Sequence, residues 1–195
     1  MEIEQVIKFW FGNDINEPNL AKRQSPLWWQ KNPQIDALIR EKFADGLQGI
    51  VTGHYDHWLS SPRGRLAAII VLDQFSRNMY RDKPQSFAHD PLALKWCMEG
   101  MALKQDIELP FIGRVFFYLP LEHSETIEMQ NLSVQKFTEL AVADKSETFT
   151  GFQDFAQRHR AVIEKFGRYP HRNSILGRES SAEEKTYIEQ PGSGF

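Results

Sequence analysis

The most informative stretch of the sequence for the fold is residues 61–78, SPRGRLAAIIVLDQFSRN. Ser61 before Pro62 is typical of a helix start, because serine caps the first turn and proline at the first position forfeits no hydrogen bond. Residues 66–72 are all apolar, so a helix here is apolar on nearly every side, as is typical of a helix at the centre of a core. The sequence therefore predicts a central helix over residues 61–78.

Similar patterns mark the other helices. Asn32-Pro33 and Asp90-Pro91 each pair an N-cap residue with a proline, and the helices that they start are predicted to end at Gly53 and near residue 104. Apolar residues three and four apart predict further helices over 114–119, 125–143 and 152–166. Residues 180–183, SSAE, fit a capping box that opens a short last helix.

The sequence shows no signs of β-structure. We find no hairpin dipeptide between alternating strands and no sustained alternation of apolar and polar residues. This predicts an all-α fold of about seven to nine helices, stacked as antiparallel helical hairpins joined by short loops. We expect a single helical domain over residues 1–190 and a flexible C-terminal tail over residues 191–195.

The composition narrows the classes of function. One cysteine, Cys97, in 195 residues excludes an internal disulfide framework and a multi-cysteine metal cluster. A net charge of −3 makes nucleic acid an improbable partner. The first residues, MEIE, lack the basic start of a signal peptide, and the apolar run 66–72 is too short to cross a bilayer. We predict a cytoplasmic protein that does not contact a membrane.

Polar residues follow directly on the apolar run. Asp73 and Arg77 are an i,i+4 pair with the acid first, the more favourable order, and Asn78 comes next. A carboxylate on a buried helix face must be paired or protonated. Two interpretations remain open: a structural ion pair that closes the helix end, or an aspartate that orients Arg77 toward a ligand.

Positive charge is concentrated in residues 158–178, which we call the basic segment. It holds six basic residues and one acidic residue, and it includes FGRYPHRN at 166–173. Gly167 and Pro170 predict a non-helical loop there. Because arginine binds carboxylate and phosphate through two parallel hydrogen bonds, this segment is a candidate anion site. A solvated basic loop is the alternative. The candidate ligand-binding residues here are Arg168, His171, Arg172, Asn173 and Arg178.

Four residues are candidates for acid or base chemistry: His123, Glu125, His159 and His171. Their spacings match no zinc motif, so we predict no metal site. The sequence contains no phosphate-binding loop, dinucleotide-binding fingerprint or nucleophile elbow. We therefore predict no organic cofactor.

Six short motifs resemble those of a bacterial family, domain-of-unknown-function family 924. They are VIKFWFG at 6–12, WW at 28–29, LDQFSRN at 72–78, LPLEHSE at 119–125, FGRYPHRN at 166–173 and LGRESSAEE at 176–184. Ser76 stands where the family motif has proline. The resemblance covers nearly the whole chain and implies an all-helical, tetratricopeptide-like fold. It implies no activity.

Two functions fit these observations. In the first, Arg77, Arg168, Arg172 and Arg178 bind a small carboxylate or phosphate ligand, and a histidine or Glu125 supplies acid/base chemistry for hydrolysis. In the second, the stacked helices form a tetratricopeptide-like module that binds a protein or peptide partner without catalysis.

Overall fold

The computed structural model of the chain describes residues 1–194. Its α-helical segments are α1 (Ile3–Phe11), α2 (Leu20–Trp29), α3 (Pro33–Val51), α4 (Pro62–Ile70), α5 (Ser76–Met79), α6 (Asp90–Ala102), α7 (Phe111–Glu122), α8 (Ile127–Ala143), α9 (Glu147–Phe166), α10 (Asn173–Leu176) and α11 (Ala182–Ile188). A π-helical turn, Val71–Phe75, joins α4 to α5 without a break, which gives ten helices in residues 1–194. No strand occurs in this part of the chain, so the predicted all-α fold is confirmed.

Four short 3-10 turns complete the secondary structure of these residues. They are Asp56–Ser60, Pro84–Ser86, Asp106–Glu108 and Pro170–Arg172. The helix count is slightly above the predicted seven to nine, partly because the short helix α10 follows the loop predicted over 166–173 and was not itself predicted. The tetratricopeptide-like stacking of the helices stays a prediction.

Two of the predicted helix starts have the expected caps. The Asn32 side chain accepts hydrogen bonds from the backbone of Gln34 and Ile35 at 3.0 and 3.2 Å. The Ser61 hydroxyl accepts one from the backbone N–H of Gly64 at 3.1 Å. Each satisfies donors that the first turn of a helix leaves free.

Three details of the prediction are wrong. Asp90 is the first residue of α6 and not its cap, and its carboxylate binds Arg77 instead. The capping box at α11 is Ser181 with Glu184, one residue later than predicted. The helix predicted over 114–119 does not end before Pro120, because α7 runs through it to Glu122.

Pro120 is tolerated because of its place near the end of α7. Pro120 lies in the last turn, where only the hydrogen bond of its own missing N–H is forfeited. The buried backbone carbonyl of Glu122, the last residue of α7, accepts hydrogen bonds from the Gln130 amide at 2.7 Å and the Tyr169 hydroxyl at 2.5 Å. Side chains distant in sequence thus satisfy the helix end, and local propensity does not reveal them.

The chain groups into two compact units. Unit 1 is residues 1–81 with 85–120, and unit 2 is residues 82–84 with the described residues from 121 onward. In unit 1, α4 packs against α1 and α6, and residues 66–72 are almost wholly buried, as the sequence predicts for a central helix. The single domain predicted over residues 1–190 stays a prediction.

Unit 2 is built on α8 and α9, which pack along each other and are joined by three residues. Its hydrophobic core includes Val162, Ile163 and Tyr169, with Phe166 and Tyr187 packed against them. The predicted C-terminal tail includes Phe195, which lies outside the described residues. Within the tail, the Ser193 hydroxyl donates to the carbonyl of Ile188 at 2.8 Å.

No helix within residues 1–194 is long and apolar enough to cross a membrane.

Candidate functional site

Asp73 and Arg77 lie in unit 1 and form the predicted ion pair. The Arg77 guanidinium is 3.2 Å from the Asp73 carboxylate and donates to both oxygens of Asp90 at 2.8 and 2.9 Å. The second oxygen of Asp73 accepts a hydrogen bond from the Gln74 amide at 2.6 Å. These contacts fit the structural ion pair, and a ligand-orienting role for Asp73 stays a prediction.

Asn78, also in unit 1, binds a carboxylate of α3. Its amide donates to Asp36 at 2.8 Å, and Arg81 donates to both oxygens of the same carboxylate at 2.7 and 2.8 Å. These hydrogen bonds hold the pKa of Asp36 below its ordinary value, although burial opposes the change. Asn78 therefore helps to hold α3 against the helix that carries Asp73 and Arg77.

The remaining candidates lie in unit 2, where Arg168 is bound to α11. Its guanidinium donates to both oxygens of Glu184 at 2.6 and 2.8 Å and to the carbonyl of Glu179 at 2.9 Å. The Arg168 hydrogen bonds lower the pKa of Glu184 to about 2. Arg168 thus anchors the last helix to the basic segment.

Arg178 makes a second bidentate pair, with Glu125. Its two terminal nitrogens lie 2.6 and 3.0 Å from the carboxylate, which also accepts the backbone N–H of Tyr169 at 2.8 Å. Burial alone would raise the pKa of Glu125, but these hydrogen bonds and the charges of Arg178 and Arg172 hold it below its ordinary value. Glu125 is therefore ionised at neutral pH.

Tyr169 brings the other candidates together. Its ring lies 4.6 Å beneath the Arg172 guanidinium, and its centroid is 5.6 Å from the rings of both His159 and His171. Its hydroxyl accepts a hydrogen bond from the Gln130 amide at 2.8 Å. The basic segment is thus ordered around one buried tyrosine.

His159 faces inward, as its place on an apolar helix stripe predicts. Its Nδ1 is 2.9 Å from the carbonyl of Phe155 and 3.4 Å from the Glu122 carboxylate. Because a carbonyl can only accept, the proton is assigned to Nδ1. Burial lowers the pKa of His159 to about 3, and nearby positive charge from His123, Arg172 and His171 acts in the same direction. His159 is neutral at pH 7.

Among the side-chain polar atoms of the basic segment that are buried without a hydrogen bond inside residues 1–194 are the carbonyl oxygen of Asn173 and the Nε of Arg178. The Asn173 amide nitrogen donates to the Ser180 hydroxyl at 3.0 Å, and the backbone N–H of Arg178 donates to the carbonyl of Asn173 at 2.8 Å. Because a buried polar group without a partner costs free energy, such atoms point to a water, an ion or a ligand.

Several residues that shape this region were not among the candidates predicted from the sequence. Glu122, Tyr169 and Glu184 lie in the quoted motifs, near residues that were chosen, whereas the buried Gln130 gave no signal of its own. Within residues 1–194, no group of three or more histidine, cysteine, aspartate or glutamate side chains is placed to hold a metal ion. Whether Asp73 and Arg77 act with the basic segment stays a prediction.

Comparison with known proteins identifies the family. The solved structure of a protein of unknown function, ATU0120 from Agrobacterium tumefaciens, is similar with a TM-score of 0.82 and 31% sequence identity, and the match covers 96% of each chain. No curated protein matches the sequence. The family model of DUF924, described as a bacterial protein of unknown function, matches residues 6–192. The chain therefore belongs to the DUF924 family, as its motifs indicated.

Proposed function

We propose that this protein binds a small anionic ligand, a carboxylate or a phosphate, at the basic segment of unit 2. One observation carries the proposal: the Nε–H of Arg178 is a buried, charged donor with no acceptor within residues 1–194. A buried guanidinium N–H forms its strongest hydrogen bond with a negatively charged oxygen, as in a carboxylate or a phosphate. The protein's own carboxylate, Glu125, occupies only the two terminal nitrogens.

The surroundings support an anion at this place. Arg172 is 7% exposed, and its guanidinium is close enough to Glu125 and His159 to act on the charges of both. His171 and Arg178 are only half-buried, which gives a small ligand a route from solvent. Arg168, bound to Glu184, holds the segment in place and is not needed to touch the ligand.

The protonation states of Glu125 and His159 also make some of the candidates for acid/base chemistry less suitable than others. Glu125 is ionised and held by Arg178, so it is a poor proton donor at neutral pH. His159 has a pKa of about 3 because it is buried, which makes it a weak base. A hydrolytic step at this site would therefore use His123 or His171.

Calorimetric titration with inorganic phosphate and with succinate tests the proposal. We expect the wild-type protein to bind one of the two anions with one-to-one stoichiometry. Arg178→Lys keeps a positive charge beside Glu125 but lacks the Nε–H, so we expect it to weaken binding about tenfold or more.

Arg160→Lys is the matched control for this variant. Arg160 also binds a carboxylate, that of Glu164, but its Nε already donates to Asn131 at 2.7 Å. We expect this variant to bind like the wild type. If the wild type bound neither phosphate nor succinate, the proposal would be overturned in favour of the peptide-binding module. If Arg178→Lys bound the anion as tightly as the wild type does, the anion would bind elsewhere.

A further inference from the structure

We infer that the ligand of this site carries a hydrogen-bond donor beside its anionic oxygen, as a protonated phosphate or a hydroxy-carboxylate does. The inference rests on the proposed anion site and adds the chemistry of its ligand. It follows from a second atom, the side-chain oxygen of Asn173, which is buried and accepts no hydrogen bond within residues 1–194.

The orientation of the Asn173 amide is fixed by its neighbours. Its nitrogen donates to the Ser180 hydroxyl at 3.0 Å. It also helps to lower the pKa of Glu184, after the larger lowering effects of Arg168 and the Ser181 backbone, while burial acts in the opposite direction. Turning the amide over would direct its oxygen at the Glu184 carboxylate, and two acceptors would repel each other. The oxygen therefore stays on the side away from Glu184, where it can only accept.

The Asn173 oxygen and the Arg178 Nε belong to one short turn. The backbone N–H of Arg178 donates to the carbonyl of Asn173 at 2.8 Å, and Gly177 has a φ of +68°, which closes the turn behind α10. Asn173 is 0% exposed, so bulk solvent does not reach its side-chain oxygen. Only a water molecule or a ligand that enters the site can donate a hydrogen bond to it. The turn thus offers a ligand one charged donor and one neutral acceptor.

An acceptor beside an arginine discriminates between anions. An oxyanion that keeps a proton gives its oxygen to the arginine and its O–H to the asparagine. A fully deprotonated anion of the same size sets its lone pairs against the asparagine oxygen and leaves that oxygen unpaired. Phosphate keeps at least one proton near neutral pH, whereas sulfate keeps none.

Two matched pairs of anions test the inference by calorimetric titration at about pH 7 and fixed ionic strength: phosphate against sulfate, and glycolate against acetate. In at least one pair, we expect the anion that carries an O–H group, phosphate or glycolate, to bind about tenfold or more tightly than its partner. A preference in the first pair indicates a phosphate ligand, and a preference in the second indicates a hydroxy-carboxylate. Calorimetry is preferred to melting temperature because sulfate and phosphate both stabilise proteins by exclusion from the surface.

Asn173→Ala is expected to abolish the preference, because it removes the acceptor. Ser180→Ala removes the partner of the amide nitrogen but keeps the acceptor, so we expect it to keep the preference. If Asn173→Ala fails to fold, the wild-type ratios alone decide. Equal binding within both pairs would overturn this inference and leave the anion site standing, whereas no binding of any of the four anions would overturn both.

Discussion

The arginines of this protein are mostly matched to its own carboxylates. Arg77 binds Asp73 and Asp90, Arg168 binds Glu184, and Arg178 binds Glu125. Each ion pair fixes the direction of its guanidinium. Removing one partner of a buried pair destabilises the fold, because the other partner is left as an uncompensated charge. What separates Arg178 from the others is that a third nitrogen is buried and makes no hydrogen bond within residues 1–194.

His159 makes the stability of the fold depend on pH. Its pKa is about 3 in the folded protein because it is buried, against 6.5 for an ordinary histidine. Between these values the unfolded chain binds a proton that the folded chain does not. Its contribution to stability is therefore fully present above pH 6.5 and is lost as the pH falls from there toward 3.

The variant His159→Gln isolates this effect. We expect the wild type to lose up to about 1.4 kcal/mol of unfolding free energy per pH unit through this histidine, and the variant to have a shallower slope. Urea unfolding at several pH values between about 7 and 4 measures the slope. His57→Gln, at an exposed position, serves as the control. Equal slopes in all three proteins would contradict the assignment.

The start of α11 is held by specific side-chain contacts. This helix has only seven residues, too few to form a stable helix alone. The Ser181 hydroxyl accepts the backbone N–H of Glu184 at 3.2 Å, and the Glu184 carboxylate accepts that of Ser181 at 2.7 Å. The same carboxylate binds Arg168, so one side chain joins the helix start to the basic segment.

Replacing the cap tests this arrangement. We expect Ser181→Ala to lower the free energy of unfolding by about 1 kcal/mol, the usual value of an N-cap hydroxyl. Ser146 is the matched control, because it precedes α9 without making a side-chain cap hydrogen bond. Ser146→Ala is expected to change stability less. Urea unfolding followed by circular dichroism measures both, and equal losses would refute the role of the Ser181 cap.

The contrast between helices shows what the sequence could predict. Caps at Asn32 and Ser61 are local, since donor and acceptor lie within three residues, and both were found. The carbonyl of Glu122, at the end of α7, is bound by Gln130 and Tyr169, and no local sequence pattern shows that these two residues lie there. The same limit applies to the site: arginine side chains are visible in the sequence, but which carboxylate each one binds is decided by the fold.

Across the whole chain, the two compact units differ in how their helices are buried. In unit 1, residues 66–72 are at most 1% exposed, so their amides open only when a large part of the core opens. In unit 2, most residues of α11 are exposed or half-buried, and a capping box and one ion pair hold its start. Local opening therefore costs much less free energy at α11 than at the central helix.

Hydrogen exchange measured by mass spectrometry tests this difference. We expect the slowest exchange in residues 66–72 and fast exchange in α11. In Ser181→Ala, exchange in α11 is expected to rise about fivefold, which corresponds to the loss of about 1 kcal/mol, while exchange in residues 66–72 stays unchanged. If exchange rose equally in both, α11 would open only together with the central helix, and the chain would behave as the single cooperative domain that its sequence predicts.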